Sequence, residues 1–187
     1  MRPKIAAAKR YLRRDATTSV AGVCLLLVLL CGSGHLFTAL TARAGMSVVP
    51  SALGAPMGLP GLRAVPLGGT TWAWQLCEDF AALLLIAVAV VRIRRHLRRR
   101  PVAGRVRRLL AGWTALIAGA AAAGVWRGLV AARMVDSGAL GWLAYAAAGA
   151  LFGALWGLLL GWLPGIAVSG TVSHASDKAA ADGVTRP

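Results

Sequence analysis

From Val20 to Ala42 the chain runs for 23 residues without a charged side chain. A stretch of about 20 apolar residues is enough to cross the hydrocarbon of a bilayer as a helix. In lipid the helix is favoured because each backbone N–H and C=O must find its partner within the segment. Comparable stretches recur at 72–91, 109–132 and 142–163. The second is apolar from Phe80 to Val91 but opens with Gln75, Glu78 and Asp79, and the third is interrupted by Arg127. The expected fold is therefore an all-α integral membrane protein, a bundle of four transmembrane helices spanning about 20–42, 72–91, 109–132 and 142–163. Composition agrees: 58% of residues are hydrophobic and 14% charged, against about 25% charged in an ordinary soluble domain. A net charge of +15 excludes a soluble acidic domain, and the apolar content excludes a disordered chain.

The first stretch also has some marks of a secretory signal. Val20–Cys31 has the length of a signal core, and Ala42-Arg43-Ala44 fits a small-x-small cleavage rule. The apolar run continues past Cys31, however, and Leu30 stands where a lipoprotein signal needs a small residue, so a retained span is expected. The flanking segments divide the rest of the chain. Residues 1–17 form a basic arm bearing Arg2, Lys4, Lys9, Arg10, Arg13 and Arg14 against Asp15. The membrane domain is expected over 18–168, with a short polar tail at 169–187. Its outer loop, 43–71, holds Pro50, Pro56, Pro60 and Pro66. That density of proline opposes both helix and central strand, so an irregular apolar loop on the membrane surface is expected. An arginine-rich loop covers 92–108.

Basic residues set the orientation. The arm, the arginine loop and the tail (Lys178, Arg186) fall on one side of a four-span layout, and only Arg43, Arg63 and Arg133 fall on the other. The positive-inside rule then puts both termini and the arginine loop in the cytoplasm, in the inner membrane of a bacterium. Arginine far outnumbers lysine, and alanine and glycine abound, as in coding from a GC-rich, actinomycete-like genome. Cys24, Cys31 and Cys77 form no CxxC pair and lie in apolar stretches, where cysteine behaves as a small hydrophobe.

Three patterns are candidates for function. The first is a glycine stripe in the fourth span: Gly149, Gly153, Gly157, Gly161 and Gly165, four residues apart throughout. Removing side chains along one helix face lets another helix approach closely, and in lipid such packing drives association. The segment Gly124-Val-Trp-Arg-Gly128 in the third span offers a matching surface. A neighbouring helix of the same chain, a second copy, or another membrane protein would each fit the stripe.

The second pattern is a polar layer. At about 1.5 Å of rise per residue, His35, Glu78, Asp79 and Arg127 all fall in the outer third of their spans. Ionisable groups in hydrocarbon pair, face a wet cavity or snorkel to the surface. An ion pair of Arg127 with Glu78 or Asp79 would meet that demand, as would a proton or substrate pathway. Cys31, His35, Cys77, Glu78 and Asp79 have ligand chemistry but match no metal-ligand spacing, so no metal and no cofactor is expected.

The third pattern is the arginine cluster: Arg92, Arg94, Arg95, Arg98, Arg99, Arg100, Arg105, Arg107 and Arg108. Such a cluster holds a loop inside and binds anionic lipid head groups. Its density would also neutralise nucleic-acid phosphates such as those of DNA. Pro101 and Gly104 favour a flexible cluster over one long helix. No HExxH, GxSxG or Walker sequence occurs, so a non-enzymatic role is expected. The leading expectation is a membrane accessory protein that packs or oligomerises through its glycine stripe and presents basic residues to anionic lipid or nucleic acid. The alternative is a small transporter or proton pathway built on the polar layer. Small membrane proteins with basic cytosolic loops occur among the spread proteins of conjugative plasmids, an analogy of class that no motif here carries.

Overall fold

The computed structural model describes residues 2–33, 59–66, 71–99 and 104–170. Every regular element among them is helical. The helices are α1 (Arg2–Gly32), α2 (Trp72–Arg99), α3 (Arg105–Met134) and α4 (Ala139–Leu160), followed by a short helix α5 over 162–170. Among the described residues, three helices are long and apolar enough to cross a membrane: Asp15–Gly32 within α1, then Arg105–Met134 and Ala139–Leu160. The segment α2 is not among them. Its acidic start and arginine-bearing end leave a short apolar centre.

The helices pack in chain order, α1 on α2, α2 on α3 and α3 on α4, and the last contact is the most extensive. Neighbours run antiparallel. Helices α2 and α3 each pack on two neighbours. Burial follows helical spacing. On α1, Ala16, Val20, Cys24, Leu27 and Val28 face inward while Leu25, Leu26, Leu29 and Leu30 are exposed. On α2, Ala82, Leu85, Ala89, Ile93 and Leu97 form the inner stripe. A spacing of three and four residues keeps such a stripe on one helix face.

Small residues cover two faces of α3. Toward α4 lie Ala120, Gly124 and Gly128, toward Pro164 and Gly165 of α5 lies Gly112, and toward α2 lies Gly119, against the Leu85 carbonyl and Ala89. The glycine stripe of α4 and α5 meets the first of these faces in antiparallel register. A methyl group added at Gly149 would strike the Gly124 carbonyl, and one at Gly153 the Ala120 carbonyl. At Gly157 it would lie 2.5 Å from Ile117 Cα, at Gly161 it would strike the Trp113 ring, and at Gly165 it would lie 2.7 Å from the Leu109 carbonyl oxygen. The stripe's neighbour is thus α3 of the same chain, and this face is covered. The opposite face of α4 carries exposed Leu143, Leu151, Leu155 and Leu159.

Local chemistry explains the breaks. Asp136 ends α3 with a φ of 48°, a left-handed conformation that Asp tolerates better than most residues. The Ser137 N–H and hydroxyl both donate to the Ala132 carbonyl, at 3.2 and 3.0 Å, which satisfies a helix end. At the far end of α4, Gly161 interrupts the helix and Pro164 falls in the first turn of α5. There its missing N–H costs no intrahelical bond. Trp113 donates its Nε1–H to the Leu158 carbonyl across this break, at 2.9 Å.

Three boundaries differ from the sequence expectation. The first helix begins at Arg2, inside the basic arm, and ends at Gly32 rather than Ala42. Ser33 turns back on the Leu30 carbonyl through both its N–H and its hydroxyl, and Gly61 packs directly on Gly32. Residues 34–42, His35 included, lie outside the described residues. The outer loop is not simply laid on a surface, since Leu59, Pro60 and Gly61 are buried. Nor is 92–108 one flexible loop. Helix α2 continues to Arg99 and α3 starts at Arg105. Arginine is a good helix former, and Arg98 and Arg99 in the last turn of α2 complement the negative end of its dipole.

Candidate functional site

The antiparallel helices gather the charged residues at two ends of different character. One end joins the end of α1, the segment 59–66, the start of α2 and the end of α3. The polar layer lies here. Arg127 Nε donates to Glu78 Oε1 at 2.8 Å, and the two side chains are 13% and 14% exposed. On the next residue, Asp79 Oδ1 accepts from the Arg63 backbone N–H at 3.1 Å and from Gln75 Nε2 at 2.8 Å. Gln75 is itself buried. Arg63 Nε donates to the Gly32 carbonyl at 2.7 Å, and the Leu62 N–H donates to the Val28 carbonyl at 3.0 Å. Gly32 is the last residue of α1, so no further helical turn supplies a donor to its carbonyl.

Aromatic packing adds to this end. Trp126 donates Nε1–H to the Cys77 carbonyl at 3.1 Å, and its ring lies 4.6 Å from that of Phe80 at an angle of 54°. Together these contacts tie α1 to α2 and α2 to α3. Of the four polar-layer residues named from sequence, the structure places Glu78 against Arg127 and Asp79 beside them with different partners, and His35 falls outside the described residues. Arg63 is the participant that sequence reasoning missed. It sits in a proline-rich segment with no helical periodicity to give it a depth or a facing. Among the described residues, no three His, Cys, Asp or Glu side chains come together as a metal site.

The other end joins the start of α1, the end of α2, the start of α3 and helix α5. Arg92, Arg94, Arg95, Arg98, Arg99, Arg105 and Arg107 are exposed there. Arg108 departs from the expected cluster, because its side chain is buried at 8% exposure. It follows Arg107 by one residue and so turns toward the core stripe of Ala111, Gly112 and Ala115. Arg100 lies outside the described residues. Between the last turn of α2 and the first turns of α3 a groove of about 230 Å³ is lined by His96, Arg107, Leu110, Ala111 and Thr114.

The two ends therefore contrast in charge. The first sets Glu78, Asp79 and Asp136 against Arg63, Arg127 and Arg133, while the second carries seven exposed arginines among the described residues. No family model, curated protein or solved structure matches this chain.

Proposed function

We propose that the protein is a non-enzymatic, multi-pass scaffold of the cell membrane, whose arginine-bearing end lies in the cytoplasm and engages anionic lipid head groups. The observation that carries this reading is the crowding of seven exposed arginines at one end of a layer of apolar helices. Near an anionic surface each basic residue contributes about 1 kcal/mol, and guanidinium groups remain charged at any physiological pH. In this reading α2 also crosses the membrane, antiparallel between α1 and α3, with its acids compensated by Arg127 and by donors from Arg63 and Gln75. That mutual satisfaction supports a structural clamp over a transport pathway. The exposed leucines of α1 and α4 face lipid.

Nucleic acid is the competing anion, and a direct competition separates the two. Purified protein in neutral detergent is mixed with duplex DNA at low salt, with and without an excess of anionic phospholipid. Lipid should displace the DNA, and Arg98→Ala with Arg99→Ala should weaken lipid capture. DNA retention that survives the lipid and disappears in the same variant would replace this reading with nucleic-acid contact.

A further inference from the structure

We infer that the groove between α2 and α3 is a site for a single anionic phospholipid, with the phosphate at Arg107 and His96 and an acyl chain along Leu110, Ala111 and Thr114. The inference rests on the membrane reading above and narrows it from a diffuse basic surface to one built site. Arg107, Leu110, Ala111 and Thr114 lie on one face of α3, at spacings of three, four and seven residues. From Arg107 to Thr114 this face extends about 10 Å along the helix, at about 1.5 Å per residue. Its charged end therefore sits at head-group depth when its other end reaches the hydrocarbon.

The chemistry changes along the groove in the same direction. Arg107 offers a planar donor fork suited to phosphate oxygens, and His96 stands across from it on the last turn of α2. Beyond them Leu110 is 48% exposed and forms an apolar wall with Ala111. Thr114 does not wet that wall, because its hydroxyl donates to the Ala111 carbonyl at 3.3 Å. Nucleic acid or free phosphate would use only the charged end. A phospholipid uses both, and the volume of about 230 Å³ far exceeds a single water's share of about 30 Å³. Arg94 and Arg95, also exposed, are not in the lining of this groove.

Native mass spectrometry of delipidated protein, titrated with phosphatidylglycerol, phosphatidylcholine or inorganic phosphate, tests this. One saturating adduct per chain is expected with phosphatidylglycerol, and none of comparable affinity with the other two. Arg107→Gln should weaken it at least tenfold. Thr114→Trp, which fills the apolar end, should do the same, while Arg94→Gln with Arg95→Gln should leave the single adduct in place. Arg107 is exposed, so its variant keeps the test open should Thr114→Trp lower the folded yield. Adducts that accumulate without saturation, equally in all variants, would overturn the groove and leave the basic-surface reading standing. No preference for phosphatidylglycerol over phosphatidylcholine would overturn both.

Discussion

Arg127 of α3 and Glu78 of α2 meet at 2.8 Å across a helix interface, each with little more than a tenth of its side chain exposed. In such surroundings the desolvation of one unpartnered charge outweighs the attraction it gives up. Removing one member of a buried pair costs roughly 3–5 kcal/mol, whereas removing both can be close to neutral. Arg127→Leu should therefore lower thermal stability in detergent sharply, and adding Glu78→Gln should restore most of the loss. Equal damage from the single and double variants would mean that both side chains reach water independently.

Glycine substitutions should divide by position. Gly124 and Gly153 each face a backbone carbonyl across the α3–α4 interface, and backbone cannot rotate away as a side chain can. Gly124→Ala or Gly153→Ala should destabilise by about 1–3 kcal/mol, the usual cost of overpacking. Gly22, on α1, has nothing within 4 Å of an added methyl. There alanine should stabilise by about 0.5–1 kcal/mol, because it loses less backbone freedom on folding. Thermal unfolding of the three variants side by side checks the contrast. A loss at Gly22 matching that at Gly153 would show that the effect is not interface contact.

The helical, membrane-type architecture was legible because both its signals are local: uncharged length and a four-residue glycine repeat. Which surface the glycines met was not local. Gly149, Gly153 and Gly157 suit any small-residue face, and only the packed chain chooses α3 over a second copy. The clamp was half legible. Glu78, Asp79 and Arg127 stand out as charges in apolar runs, whereas Arg63 lies among prolines with no period to give it an address. The arginines are helical on both sides of the segment that holds Pro101 and Gly104, up to Arg99 and from Arg105. Arg108 shows the limit of counting charge, since a shift of one position from Arg107 turns the side chain from exposed to buried.

The link between Arg63 and α1 should be measurable by amide exchange. Arg63 Nε caps the Gly32 carbonyl, and the neighbouring Leu62 N–H is held by Val28. A hydrogen bond from a charged donor contributes about 1.5–3 kcal/mol. Arg63→Leu should therefore speed exchange at Leu62 by at least tenfold while leaving the centre of α3 protected. Asp79→Ala should loosen the same segment from the α2 side, since Asp79 holds the Arg63 N–H. Unchanged exchange at Leu62 in both variants would show that its bond to Val28 persists without either anchor.

Orientation in the membrane should follow the contrast between the two ends. At the clamp end Arg63, Arg127 and Arg133 are matched by Glu78, Asp79 and Asp136, whereas the far end holds seven exposed arginines. Insertion keeps basic residues near span ends on the cytoplasmic side and gives little weight to acids, so counting Arg alone still favours the far end. A reporter active only outside the cytoplasm should work when inserted beside Val65, which is exposed in the segment between α1 and α2. The same reporter should fail when placed after Arg99 or at the C-terminus. Replacing Arg92, Arg94, Arg95, Arg98 and Arg99 with glutamine removes most of the bias contributed by α2. That variant should yield a mixed population, with some reporter activity appearing after position 99. Activity after Arg99 in the unaltered chain would reverse the proposed orientation and move the arginine end away from the cytoplasmic leaflet.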